Sequence, residues 1–196
     1  MKEETLGKIF EFIKQKGEQN LPLFWKLKND MPLTEEDLTF KGDLHLENSQ
    51  ITSLPNGLKV VGDLMLTFSK ITSLPDDLQV GGDLNIIGCE SINSLPKGLY
   101  VGKSIQLYAK RITSIGEGLV VDGDLNLFNS QIKTIPQGVK IGGELSLSFT
   151  KIETLPKGLI VKGGLEISGT PLENYSNKEL RDMVKPGVIK GPIIRD

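Results

Sequence analysis

Between Leu38 and Tyr175 the apolar residues recur in one phrase, L-x-V-x-G-D-L-x-L-x-x-S-x-I-x-S-L-P-x-G, written about seven times. The leucine after the Gly-Asp pair anchors each unit: Leu44, Leu64, Leu84, Ile105, Leu125, Leu145 and Leu165. The spacing is 20 residues except for one step of 21, from Leu84 to Ile105. The extra residue lies around Cys89-Glu90-Ser91, in "IIGCESI". A fixed internal period of this length is the signature of a solenoid, in which each unit buries its apolar face only against its neighbours.

The alternation in L-x-V-x-G-D-L-x-L is that of a strand with one buried face. Leu58, Val60, Leu64 and Leu66 therefore point inward. Twenty residues are too few for a helical crossover, yet equivalent strands must lie parallel and about 4.8 Å apart. A coil wound around a narrow apolar core meets both demands. The predicted fold class is an all-β parallel solenoid, leucine-rich-repeat-like or β-helix-like, of about seven coils. Gly42, Gly62, Gly82, Gly123, Gly143 and Gly163 mark a corner needing a bulge or positive φ, with Lys103 in the fourth unit predicting a distorted one. Pro55, Pro75, Pro96, Pro136 and Pro156 mark another turn, where Gly116 substitutes once. A hydroxyl column, Ser53, Ser73, Ser94, Ser114, Thr134 and Thr154, is expected to satisfy turn amides.

A stack of parallel coils has open ends that need covering. Residues 1–37 read as a helical N-terminal cap: Leu6, Ile9, Phe10 and Ile13 fall at helical spacing and Gly17 is a stop. In this cap Phe24 and Trp25 cover the first coil or, in the alternative reading, form an exposed anchor for a partner. Residues 38–175 are the repeat solenoid. Residues 176–196 form the C-terminal cap, with Ser176-Asn177-Lys178-Glu179 a capping box and Pro186-Gly187 the helix stop. A last strand follows in "VIKGPIIRD", where Pro192 resists further pairing. Two sealed ends predict a monomer.

The repeat phrase resembles leucine-rich-repeat proteins, especially the short bacterial type whose units also carry L-x-x-L-P. It departs from L-x-x-L-x-L-x-x-N-x-L because Gly-Asp splits the strand pair and Ser or Thr holds the asparagine place, Asn48 and Asn129 lying one position earlier. It is also similar to arrays in uncharacterised proteins of bacteria and their phages. That resemblance implies a solenoid with helical capping and a bacteriophage or bacterial protein that binds and modulates a host protein.

Composition narrows the function. The 196 residues carry a formal net charge of −2 and one cysteine. No basic stripe is available to neutralise phosphates, so no nucleic-acid partner is expected. A single cysteine cannot form an internal disulfide, and the charge-interrupted start is neither a signal peptide nor a membrane span. The expected location is cytoplasmic, with no membrane contact.

Reactive groups do not converge. His45, the only histidine, is an outward side chain with no catalytic partner near it in sequence. Cys89 sits in the irregular loop away from any base. The acidic column Asp43, Asp63, Asp83, Asp124 and Glu144 raises the question of a metal ladder, but corner hydrogen bonding is the stronger reading. The expectation is no enzyme, no metal and no cofactor.

Outward positions are free of packing duties. In the central units they place Ile87, Tyr108 and Phe128 in one row, with the amides Asn85, Gln106 and Asn126 beside it. Tyr100 and Val120 face outward on the neighbouring L-x-V strand. An apolar ridge of this kind marks an interaction surface or, alternatively, cross-strand stacking that stiffens the sheet. The expected function is a non-catalytic protein-protein interaction scaffold presenting an outward β-face. The alternatives are an assembly component of a virion or surface array, and a carbohydrate-binding β-solenoid.

Overall fold

The computed structural model describes residues 21–29 and 31–195. The repeat folds as an all-β parallel solenoid of about six turns. Each L-x-V-x-G-D-L-x-L segment is split by its Gly-Asp corner into two strands of two residues. The first halves build one sheet of Thr39–Phe40, Lys59–Val60, Gln79–Val80, Tyr100–Val101, Val120–Val121, Lys140–Ile141, Ile160–Val161 and Val188–Ile189. The second halves build another, from Leu44–His45 through Leu165–Glu166 to Ile193–Ile194. A short third side pairs Ser94–Leu95 with Ser114–Ile115. Every pairing is parallel and joins equivalent residues of successive coils, as Lys59↔Gln79 and Leu64↔Leu84 do.

Register locked to the repeat places like upon like. Leu58, Val60, Leu64 and Leu66 are buried, and so are most of their counterparts, forming one continuous core from Leu23 to Ile193, with Leu38, Phe40 and Leu107 half-buried. Such columns close because every coil offers the same side-chain volume at the same height. Left-handed backbone falls just before the chain enters the first sheet. Gly57, Gly98, Gly118, Gly138 and Gly158 take positive φ after the proline turn, and Asp77 takes it in the second coil at φ 57°.

The acidic column is explained at the Gly-Asp corner. The carboxylate of Asp43 accepts from the amide of Asp63 at 2.9 Å, Asp63 from Asp83 at 2.8 Å and Asp83 from Ser104 at 2.9 Å. The Ser104 hydroxyl accepts from Asp124, whose carboxylate accepts from Glu144 at 2.7 Å. Each side chain thus bonds the next coil's amide, which offsets the repulsion between stacked carboxylates. The amide of Asp83 on its carboxylate holds Asp63 below the usual range, with Lys103 adding to the effect. Glycine is needed because the carboxylate passes over it. A Cβ at Gly82 would lie 1.9 Å from Asp63 Oδ1, and one at Gly143 2.0 Å from Asp124 Oδ1. Lys103 breaks the glycine column but reaches back, its Nζ 3.5 Å from Asp63 Oδ1 and 4.0 Å from Asp83 Oδ2. The corner is loosened there: Ile105 N to Asp124 O stretches to 3.5 Å, and the pairing carries only Leu125↔Ile105.

The hydroxyl column differs from expectation. Ser53, Ser73, Ser114, Thr134 and Thr154 are exposed and Ser94 is half-buried. The working hydroxyls lie one residue earlier, where Thr72 and Thr113 donate to the carbonyls of Thr52 and Asn93.

At the N-terminal end the expected helix over Leu6 to Ile13 and its stop at Gly17 lie outside the described residues. A helix α1 spans Leu23–Lys28. The first coil is covered by leucines rather than by the aromatic pair: Leu23 joins the core and Leu27 packs against it, while Phe24 is exposed. Lys26 is buried to 2% exposure, its Nζ 2.8 and 2.7 Å from the two carboxylate oxygens of Asp37. At the other end α2 spans Asn177–Met183 and opens on the expected capping box, Ser176 and Glu179 satisfying each other's amides. The last turn, from Ile160 to Val188, houses this helix. The tail supplies the final strand of both sheets, and the carbonyl of Pro192 accepts from Leu165.

Two outcomes follow. Gly82→Ala should lower stability by about 2 kcal/mol in denaturant unfolding, because the new methyl meets the Asp63 carboxylate and backbone. Asp37→Ala should cost about 3 kcal/mol, since it removes the carboxylate beside a buried ammonium. Burial works to raise the Asp37 pKa, but the bonds from Lys26 and Thr34 outweigh it and hold the folded value below the unfolded one. The contribution is therefore complete above about pH 4 and is lost as pH falls through the folded value. The wild-type advantage over Asp37→Ala should shrink below that pH in acid titrations of stability.

Candidate functional site

The strands of the second sheet end one residue past each anchor, and the chain then turns away through a left-handed position three residues further on. Asn48, Phe68, Gly88, Asn129, Phe149 and Gly169 hold that place, with φ between 54° and 74°. Asparagine and glycine tolerate this conformation; phenylalanine does so at a cost of roughly 1–2 kcal/mol. Left-handed backbone throws both phenylalanines outward. Phe68 is 58% and Phe149 56% exposed. Each ring lies over the glycine of the following coil: a Cβ at Gly88 would be 2.3 Å from Phe68 Cδ1, and one at Gly169 2.7 Å from Phe149 Cδ1.

The predicted row lies immediately beside this column. Tyr108 is 59% and Phe128 47% exposed, whereas Ile87 is half-buried. Phe128 and Phe149 meet edge to face with centroids 5.3 Å apart, so the second column extends the ridge toward the C-terminal end. Ile87, Gln106, Tyr108, Asn126 and Phe128 together line an open depression of about 460 Å³ with Lys110 at its edge. Ser146 and Ser148 are buried despite their outward positions, Ser146 being flanked in register by Asn126 and Glu166.

The amides have local partners. Asn85 donates to the Gln106 side chain at 3.1 Å and accepts from the amide of Ile87, while Asn126 accepts from the amide of Phe128 at 2.8 Å. They fix the strand ends that carry the apolar residues. Tyr100 and Val120 are neighbours in the first sheet, around the Gly-Asp corner from the ridge. The Tyr100 hydroxyl donates to Asp122 at 2.8 Å, and that carboxylate raises the tyrosine above its ordinary phenol range. Of the second predicted anchor, Phe24 is exposed under the Lys28 ammonium and Trp25 is half-buried.

Phe68 and Phe149 were missed because the repeat phrase treats their column as a free position. The signal was present: Asn48, Gly88, Asn129 and Gly169 at the same height announce left-handed backbone, from which any larger side chain must project.

The titratable groups are dispersed. His45 is exposed and bonded to Glu47 at 2.9 Å, which raises the imidazole's pKa. Cys89 is buried, with its thiol donating to the carbonyl of Leu66 at 3.0 Å. Among the described residues no three His, Cys, Asp or Glu side chains are grouped to hold a metal ion, and no helix is long and apolar enough to cross a membrane. Compared with known protein families and with curated proteins, the chain matches no family and no individual protein.

If the amides hold the strand ends, Asn126→Ala should cost about 1 kcal/mol by leaving the Phe128 amide without its acceptor. Tyr100→Phe, at an exposed pair, should stay within about 0.5 kcal/mol of wild type in the same unfolding assay.

Proposed function

We propose that this protein is a non-catalytic scaffold that binds another protein through the aromatic ridge on its second sheet. One observation carries the reading: Phe68 and Phe149 occupy left-handed positions that sister coils fill with Asn or Gly, and both remain more than half exposed. Folding alone gives little reason to place phenylalanine there, and strain held at an exposed aromatic residue is the kind of local cost that function explains. Tyr108 and Phe128 continue the surface, and aromatic residues are the side chains most enriched at protein interfaces. The rigid register behind them presets the shape, which reduces the ordering cost of association.

A non-catalytic role agrees with the dispersal of His45 and Cys89, one exposed on a strand and the other sealed in the core. The resemblance to bacterial and phage arrays makes a host-cell protein the partner class to test first.

Capture from a host lysate should retain a protein on the wild type and lose it on Tyr108→Ala/Phe128→Ala, with the melting temperature of the variant unchanged. Equal capture by both would overturn the ridge as the binding surface. Concentration-dependent light scattering, abolished by the same variant, would instead assign the ridge to self-assembly.

A further inference from the structure

The core column after the left-handed position requires a small side chain, and one coil departs from it. Ser49, Ser69, Cys89, Ser130, Thr150 and Thr170 hold that column, all buried except the half-buried Ser49. Small size is common to all six, whereas hydrogen bonding is not: Ser69, Cys89 and Thr170 have partners, while the oxygens of Ser49, Ser130 and Thr150 have none among the described residues. In the fourth coil the residue is Lys110, whose side chain is exposed. The chain there forms a 3-10 turn over Ala109–Arg111, and Leu107 is only partly buried, whereas Leu66, Leu127 and Leu147 in its column are fully enclosed. The extra residue of the third coil falls directly alongside. Two departures on adjacent coils leave a gap in an otherwise close-packed stack.

That gap is a cavity of about 270 Å³. The core residues Ile86, Cys89, Ile92 and Ile112 form its closed floor, and the half-buried Leu107 with the exposed Phe68 and Tyr108 rings forms its apolar sides. Arg111 and Glu90 stand at its polar rim, where Arg111 Nη1 donates to the Glu90 carbonyl at 2.9 Å and ties the two irregular loops together. The thiol of Cys89 is already bonded to Leu66, so the polar groups free to meet a ligand are those of the rim.

We propose that this cavity is a binding site for one compact aromatic molecule carrying at most one polar group, which would sit at the Arg111 and Glu90 rim. Size selects the class. An enclosed apolar cavity of about 150 Å³ takes up benzene; this cleft is larger and has a polar rim, which suits a bicyclic ring of indole size with its one polar group turned to that rim. The site adjoins the ridge, sharing Leu107 and Tyr108 with its depression and the Phe68 ring with its aromatic surface, but the proposal does not rest on the protein-binding reading.

Indole is the probe. Titrated into the full chain, it should give saturable methyl NMR shifts at Ile86, Ile92, Leu107 and Ile112, leave Leu145 and Leu147 unmoved, and raise the unfolding temperature. Lys110→Ser restores the small residue and should let the coil close; Leu107→Phe should fill the gap from its wall. Each should weaken indole binding by about tenfold or more. Absence of saturable shifts up to the solubility limit, shifts spread evenly along the solenoid, or wild-type affinity in both folded variants would each overturn the proposal. If Lys110→Ser does not fold, Leu107→Phe decides alone.

Discussion

Everything in this molecule depends on the backbone ladder between successive coils being held at one register, so that each residue sits on its own equivalent. The Gly-Asp corner fixes that register. A carboxylate reaches the next coil's amide across a residue that is glycine in every such corner but the fourth coil's, where Lys103 stands and the Asp83 bond to Ser104 still forms. Both sheets, the apolar columns and the outward rows inherit their alignment from this contact. The arrangement also confines damage. Lys103 disturbs one corner, yet its ammonium returns to the acidic column and the sheets continue past it.

Stacking like on like makes the surface a set of columns, each written in the sequence at the repeat spacing. The fold was legible for that reason: Leu58, Val60, Leu64 and Leu66 declared the core, Gly62 and Asp63 the corner, and Ser176 with Glu179 the helix start. Part of the ridge was legible too, since Tyr108 and Phe128 continue the outward alternation two residues past their strands. What the pattern did not convey was backbone handedness at a position that tolerates several residue types, which hid Phe68 and Phe149. Nor did it separate the two faces. Tyr100 and Val120 lie close to the ridge along the chain but on the first sheet, because the corner intervenes. At the N-terminal end aromatic size was a poor guide to burial. Leu23 and the Lys26–Asp37 pair do the covering that Phe24 was expected to do.

The fourth coil shows how a solenoid acquires local character. Lys103 at the corner, the extra residue beside Cys89 and Lys110 in the small-residue column all fall within two adjacent coils. Nearest-neighbour energetics let such departures accumulate without unfolding the stack, because only flanking coils feel them. The same two coils hold the cavity and border the depression between Tyr108 and Phe128. Irregularity and exposed apolar surface coincide where the regular repeat would supply neither.

If the exposed phenylalanines serve binding rather than folding, removing them should cost the fold nothing. Magnitudes make it testable. Burying a phenylalanine fully contributes about 1.5–3 kcal/mol, and these rings are less than half buried, so each contributes near 1 kcal/mol. The left-handed backbone costs each about the same or more. The most direct measurement is the denaturant-unfolding stability of the Phe68→Asn/Phe149→Asn double variant against wild type. Equal or greater stability is expected for the variant, since Asn48 and Asn129 already occupy the same conformation. A loss of more than about 2 kcal/mol would contradict it and make the rings part of the structural stack.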